Sequence, residues 1–191
     1  EAKNVRKELN WKYSEFEIPD EYLDAWKVIG KQHRKTSKQW EEKFESSDES
    51  IKSFIKIGKT KDFGDEFAKK LEKFKQKIFL EKPKQATRKS SNAVLEFLTK
   101  EVPHLIGGSA DLTGSVLTKT SSTSSISAKD FSGSYVHYGI REHAMAAIMN
   151  GVALSGTFIP YGGTFLVFSD YLKPAIRLSA LMKQQAIYIF T

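Results

Sequence analysis

One short stretch concentrates charge where its surroundings are apolar. From Tyr138 to Leu154 the only formally charged residues are Arg141 and Glu142, with His143 beside them. The pattern predicts a helix over 140–154, which puts this group at the helix start. Two roles suit Glu142 there. Its carboxylate can complement the positive end of the helix, a contribution of about 0.3–1 kcal/mol. Alternatively, a carboxyl group in a low-dielectric site can share a proton with a ligand nitrogen. Residue type alone leaves both open. Phe165, Phe168 and Tyr171 follow at i, i+3 and i+6, which serves either core packing or a cup for a flat aromatic ligand. Two glycine pairs, Gly107–Gly108 before Asp111 and Gly162–Gly163 before Phe165, permit close backbone approach or tight turns.

Other chemistries lack their residues. There is no cysteine, so disulfides, thiolate nucleophiles and Cys-ligated metals are excluded. The four histidines, at 33, 104, 137 and 143, show no metal-ligand spacing, so no metal site is expected in this chain. No GxSxG, P-loop or GxGxxG occurs.

The elements that must position these groups fall in the second half. Ser90 to Lys100 reads as a helix halted before Pro103, and His104 to Ile106 as a short buried strand running into a loop at the first glycine pair. Residues 113–128 are dominated by Ser and Thr and read as a loop. Thr157 to Tyr161 and Ala186 to Phe190 read as strands, with a helix from Phe165 to Lys183 broken at Pro174. Strand–helix–strand spacing of this kind predicts an α/β fold with a parallel sheet. The first half is different. Trp11, Tyr13, Phe16 and Ile18 suggest an extended segment stopped by Pro19. Asp20 then caps a helix through Tyr22, Leu23, Trp26 and Ile29 that ends at Gly30. A second helix carries Trp40 and Phe44. A third starts near Asp65, with Phe63, Phe67, Leu71, Phe74 and Ile78 on one stripe.

A chain of 191 residues is long enough for a core, and its 40% hydrophobic and 28% charged content is that of a soluble globular protein. No apolar run is long enough to span a bilayer and the first residues lack a secretory signal, so a cytoplasmic location is expected. Most of the +7 net charge lies before residue 90, where lysines alternate with acids as on solvated helices. Nucleic acid is therefore not expected as a partner.

Three blocks carry a resemblance: Gly107-Gly-Ser-Ala-Asp-Leu-Thr113, Tyr138-Gly-Ile-Arg-Glu-His-Ala-Met145, and Pro160-Tyr-Gly-Gly-Thr-Phe165 through Arg177-Leu-Ser-Ala-Leu-Met182. Together and in this order they resemble the start of the pyrimidine-binding domain of transketolases. Leu9 to Pro19 resembles the stretch leaving that family's diphosphate-binding domain. The resemblance implies a parallel-sheet thiamine-diphosphate-binding fold preceded by a mostly helical connector. Its divisions are 1–19 as the tail of the diphosphate-binding domain, 20–85 as connector, and 86–191 as the first part of the pyrimidine-binding domain.

It also implies roles. Glu142 matches the family's catalytic glutamate, which hydrogen-bonds N1′ of the cofactor's aminopyrimidine and favours the 4′-imino form that removes the C2 proton. Phe165, Phe168 and Tyr171 match the aromatic wall around that ring, and Asp111 an aspartate near the cofactor. Arg88 and Ser115 match the pair that holds the sugar phosphate, although Gly114 stands where many relatives have proline. The implied reaction is transfer of a two-carbon ketol unit between sugar phosphates in a homodimer whose site is shared between subunits. The implied Mg2+ ligands lie on the diphosphate-binding domain, outside this chain, so the chain alone is expected to be inactive. A dihydroxyacetone synthase fragment, or the non-catalytic half of a split thiamine-diphosphate enzyme, are the alternatives.

Overall fold

Helices come first and strands second, as the change in apolar spacing requires. The computed structural model describes all residues, Glu1–Thr191. They form two units, Glu1–Lys52 and Ser53–Thr191.

The first unit contains helices α1 (Ala2–Glu8), α2 (Asp20–Lys31), α3 (Arg34–Glu45) and the start of α4 (Glu49–Thr60). None of α1 to α3 buries a residue. The expected extended segment before Pro19 is instead an irregular loop. Asn10 and Phe16 take left-handed backbone conformations there, which breaks strand alternation. Trp11 stacks on Tyr22 with centroids 5.9 Å apart. Pro19 occupies the cap position of α2, so Asp20 is its first helical residue and acts through the helix dipole rather than as a cap.

The second unit is built on a sheet. It comprises the rest of α4, α5 (Gly64–Glu81), α6 (Thr87–Glu101), β1 (Leu105–Ser109), α7 (Thr113–Val116), β2 (Tyr135–His137), α8 (Glu142–Leu154), β3 (Ile159–Thr164), a 3-10 turn at Leu166–Phe168, α9 (Ser169–Leu181) and β4 (Ile187–Phe190). All neighbouring strands are parallel, in the order β2-β1-β3-β4. Helices cover both faces. On one, the α5 stripe delivers Phe63 and Phe67 to Leu95, Leu105, Ile159 and Tyr161. Phe74 stacks on Phe97 of α6 at 4.6 Å. On the other, Met145 and Met149 of α8 pack with Leu172 and Ala175 of α9, against Ala110 and Tyr138.

Both glycine pairs lie inside strands, whereas the first was expected to open a loop. A Cβ on Gly107 would fall 1.9 Å from the Tyr161 ring, and one on Gly108 would fall 2.2 Å from the Tyr138 ring and 2.6 Å from the Val136 carbonyl. The pair lets tyrosines close over both sides of β1. Because Val136 O is backbone and cannot step aside, Gly108→Ala is expected to destabilise the second unit by about 2 kcal/mol, read as a lower urea midpoint.

The helix over 169–181 continues through Pro174 instead of breaking. Pro174 and Asp170, whose carbonyl loses its partner, are both exposed, so water can replace the missing bond. The serine- and threonine-rich segment is largely irregular, as expected, but firmly tied. Thr118, Thr120 and Thr123 are buried, and the Glu96 carboxylate accepts bonds from Ser121 N at 2.9 Å and Ser121 Oγ at 2.5 Å.

Burial pushes the Tyr138 phenol up to about 12, and Tyr135 and Tyr161 upward for the same reason. The unfolded chain therefore releases these protons near pH 10 while the folded chain keeps them. Stability is full below about pH 10 and falls as pH rises toward 12, by about 1.4 kcal/mol per pH unit for Tyr138 alone. Urea midpoints at about pH 9 and about pH 11 check this, and equal midpoints would contradict it.

Candidate functional site

Parallel strands send their outgoing loops to one edge of the sheet, and three of these loops meet there. β1 leads into Ala110 and Asp111, β2 into Tyr138 to Glu142, and β3 into Phe165 and the 3-10 turn. β1 and β3 are neighbours, yet their next strands, β2 and β4, lie on opposite sides. Open parallel sheets bind ligands at such a switch. Here it holds a pocket of about 710 Å3 lined by Asp111, Ile140, Arg141, Glu142, Phe168 and Tyr171 among others.

Hydrogen bonds between the strand ends fix this edge. Ser109 Oγ donates to Gly163 O at 3.0 Å and accepts from Leu112 N at 3.1 Å, while Ala110 N donates to Gly163 O at 3.1 Å. The chain turns at Asp111, which is left-handed (φ 62°), a conformation that aspartate tolerates better than most residues. Across the pocket, Arg141 Nη1 donates back to Tyr138 O at 3.0 Å. That bond ties down the turn just before α8.

Glu142 is the first residue of α8 and only 8% exposed. No group of the chain makes a hydrogen bond or ion pair with its carboxylate. The helix N-terminus favours negative charge at this place, and the carboxylate oxygens, which are not buried, open onto the pocket. A ligand donor in the pocket would supply what the chain does not. The adjacent wall is a row of rings: Phe168 lies 6.0 Å from Phe165 and 6.1 Å from Tyr171, at interplanar angles of 25° and 36°. At the carboxyl end of β3 the Thr164 hydroxyl is buried without a partner.

Asp111, Glu142, Phe168 and Tyr171 therefore share one pocket, and Phe165 stacks behind Phe168. Arg88 and Ser115 are elsewhere: Arg88 is exposed in the first turn of α6, Ser115 sits on α7, and neither lines the pocket. Sequence reasoning noticed Arg141 and His143 as charges but gave them no place in the lining, and it missed Ile140. Their adjacency to Glu142 was the available signal.

The sequence profile described as "Transketolase, pyrimidine binding domain" matches residues 83–191. The chain belongs to the transketolase family, in its pyrimidine-binding domain. It is 46% identical to a transketolase of Sinorhizobium medicae over 187 residues, covering 98% of this chain and 27% of that protein. For a transketolase of Cereibacter sphaeroides the identity is 41%, covering 98% and 28%. Among solved structures, Campylobacter jejuni transketolase superposes with a TM-score of 0.73 at 33% identity, covering 97% of this chain and 27% of that one. A Pichia stipitis transketolase complexed with sedoheptulose-7-phosphate gives 0.74 at 34%, covering 92% and 27%. The chain thus spans little more than a quarter of the transketolases it matches. Similarity extends over the helical first half as well, whereas every expected site residue, from Arg88 to Tyr171, falls inside the pyrimidine-binding span.

Proposed function

We propose that this chain forms the pyrimidine side of a transketolase active site, with Glu142 exchanging a proton with N1′ of the aminopyrimidine of thiamine diphosphate. The observation that carries this reading is the largely buried Glu142 at the start of α8, whose carboxylate has no partner in the chain and opens onto a pocket walled by aromatic rings. The pocket volume falls in the range that holds small ligands. Phe168 and Tyr171 offer faces against which a flat heterocycle stacks, with Phe165 bracing Phe168. Asp111, on the opposite lip, orients the cofactor.

When bound, thiamine diphosphate supplies the nucleophilic carbon that takes up a two-carbon unit. The chain's part is narrower. Glu142 holds the proton at the ring nitrogen, the aromatic row excludes water from that side, and Arg88 with Ser115 receives the phosphate of the sugar.

The complete enzyme moves a ketol unit from a ketose phosphate to an aldose phosphate, as in the pentose phosphate pathway. The sugar phosphates named with the Pichia stipitis structures support that substrate class. Mg2+ sits with the diphosphate, on ligands outside this chain. Residues 1–19 end the diphosphate-binding domain, 20–85 connect, and 86–191 begin the pyrimidine-binding domain. The enzyme works in the cytoplasm; no helix here is long and apolar enough to cross a membrane. It acts as a homodimer with a shared site, and the exposed Ile140, Leu166, Val167 and Tyr171 beside the pocket suit burial by a second subunit.

The 191-residue chain, supplied with thiamine diphosphate, Mg2+ and both sugar phosphates, is expected to show no ketol transfer. Activity should appear when the diphosphate-binding domain and the remainder of the pyrimidine-binding domain are joined to it. Transfer by the chain alone would overturn the divided site.

A further inference from the structure

Behind the pocket, two buried polar side chains and the half-buried Tyr188 link α8, α9 and β4. Asn150 of α8 donates through Nδ2 to Ala175 O of α9 at 2.9 Å. Its Oδ1 accepts from Ser179 Oγ of α9, and Ser179 Oγ lies 2.7 Å from the Tyr188 hydroxyl of β4. The one Ser179 proton is shared between Asn150 Oδ1 and, at 3.2 Å, Ala175 O, so Tyr188 is the donor to Ser179. The bonds then run from Tyr188 to Ser179, and both Ser179 and Asn150 donate to the Ala175 carbonyl of α9. Asn150 and Ser179 are almost fully buried.

We infer that Asn150, Ser179 and Tyr188 form a latch that sets the gap between Glu142 and the aromatic wall. The inference rests on the pocket being the aminopyrimidine site. Glu142 and Tyr171 stand near the pocket-side ends of α8 and α9, and the latch residues Asn150 and Ser179 follow each by the same number of residues. Both lie about 12 Å down their helices. The remaining contacts here, between Met145, Met149, Leu172 and Ala175, are apolar and do not fix a register. Directional hydrogen bonds do. The three are positioning residues: they act through the helices and touch no ligand.

The test uses Ser179→Ala, Tyr188→Phe and the conservative Ser179→Thr. The chain contains no cysteine, so Ala147→Cys and Lys173→Cys, on exposed positions of α8 and α9, carry the only spin labels. The label-to-label distance distribution is expected to shift or broaden in the Ser179→Ala and Tyr188→Phe variants and to return in Ser179→Thr. With the diphosphate-binding domain and the remainder of the pyrimidine-binding domain joined, the apparent affinity for thiamine diphosphate should fall about ten-fold in Ser179→Ala and recover in Ser179→Thr. An unchanged distribution in both folded variants overturns the latch. A shifted distribution with unchanged cofactor affinity overturns its link to the pocket. If the joined wild-type protein fails to bind thiamine diphosphate, the cofactor reading falls instead, and the label distances still judge the latch.

Discussion

Glu142→Gln is expected to lower ketol transfer by about 10³-fold in the joined enzyme while the chain stays folded. Glutamine keeps the size and shape of the side chain, so α8 still packs and no cavity opens. What disappears is the group that can hold a proton opposite N1′. The structural loss is confined to the favourable interaction of a carboxylate with the start of α8, about 1 kcal/mol at most. That asymmetry makes the experiment decisive. Initial rates at saturating thiamine diphosphate should fall steeply, while the urea midpoint moves little and the KM for the sugar phosphate stays near its original value. A loss below about ten-fold would show that Glu142 serves the helix end and not the cofactor. Both roles were open from residue type alone. The rate loss separates them, because a carboxylate that serves only the helix dipole has no part in the transfer step.

The sequence was most legible where a periodic pattern and its packing agree. The α5 stripe from Phe63 to Ile78 is recovered in full because each ring meets the sheet or α6. The parallel order followed from alternating strands and helices. Of the two roles open to the glycine pairs, close approach rather than a tight turn is the one the structure shows. Here the lack of a side chain serves the tyrosine rings that close over β1, a tertiary demand with no local signature. β2 escaped notice because it has three residues after a long irregular segment. α4 was overlooked although Ile51, Phe54, Ile55 and Gly58 give it an apolar face; there Phe54 stacks on His104 at 4.0 Å, and the Phe54 carbonyl accepts from His104 Nε2 at 2.8 Å. For the site, the blocks around Asp111, Glu142 and Phe165 pointed to one place, and the carboxyl-end rule of parallel sheets explains why they converge. Arg88 and Ser115 lie outside the pocket, and only the family resemblance assigns them to the phosphate.

Tyr161→Ala is expected to cost about 4 kcal/mol, the largest stability effect of any single change considered. Tyr161 is fully buried at the centre of β3, among Leu95, Leu105 and Ile159, and its ring fills the space that Gly107 leaves over β1. Truncation removes that packing and leaves a cavity that a rigid sheet cannot close, which alone is worth about 3–5 kcal/mol. It also removes the hydroxyl that donates to Thr118 O at 3.0 Å, the bond that ties the threonine-rich segment to the core. Tyr161→Phe separates the two losses. It keeps the ring, leaves one buried carbonyl unsatisfied, and should cost about 1–2 kcal/mol. Since burial pushes the Tyr161 phenol upward, the hydroxyl remains a donor throughout the neutral range. A loss of about 4 kcal/mol is a large part of a typical domain's stability, so the Ala variant should populate unfolded chain already in mild urea. The Phe variant should stay folded but exchange the amides of residues 118–123 faster. If the Ala variant loses less than about 1 kcal/mol, the sheet is not clamped from this face, and the glycine at 107 needs another explanation.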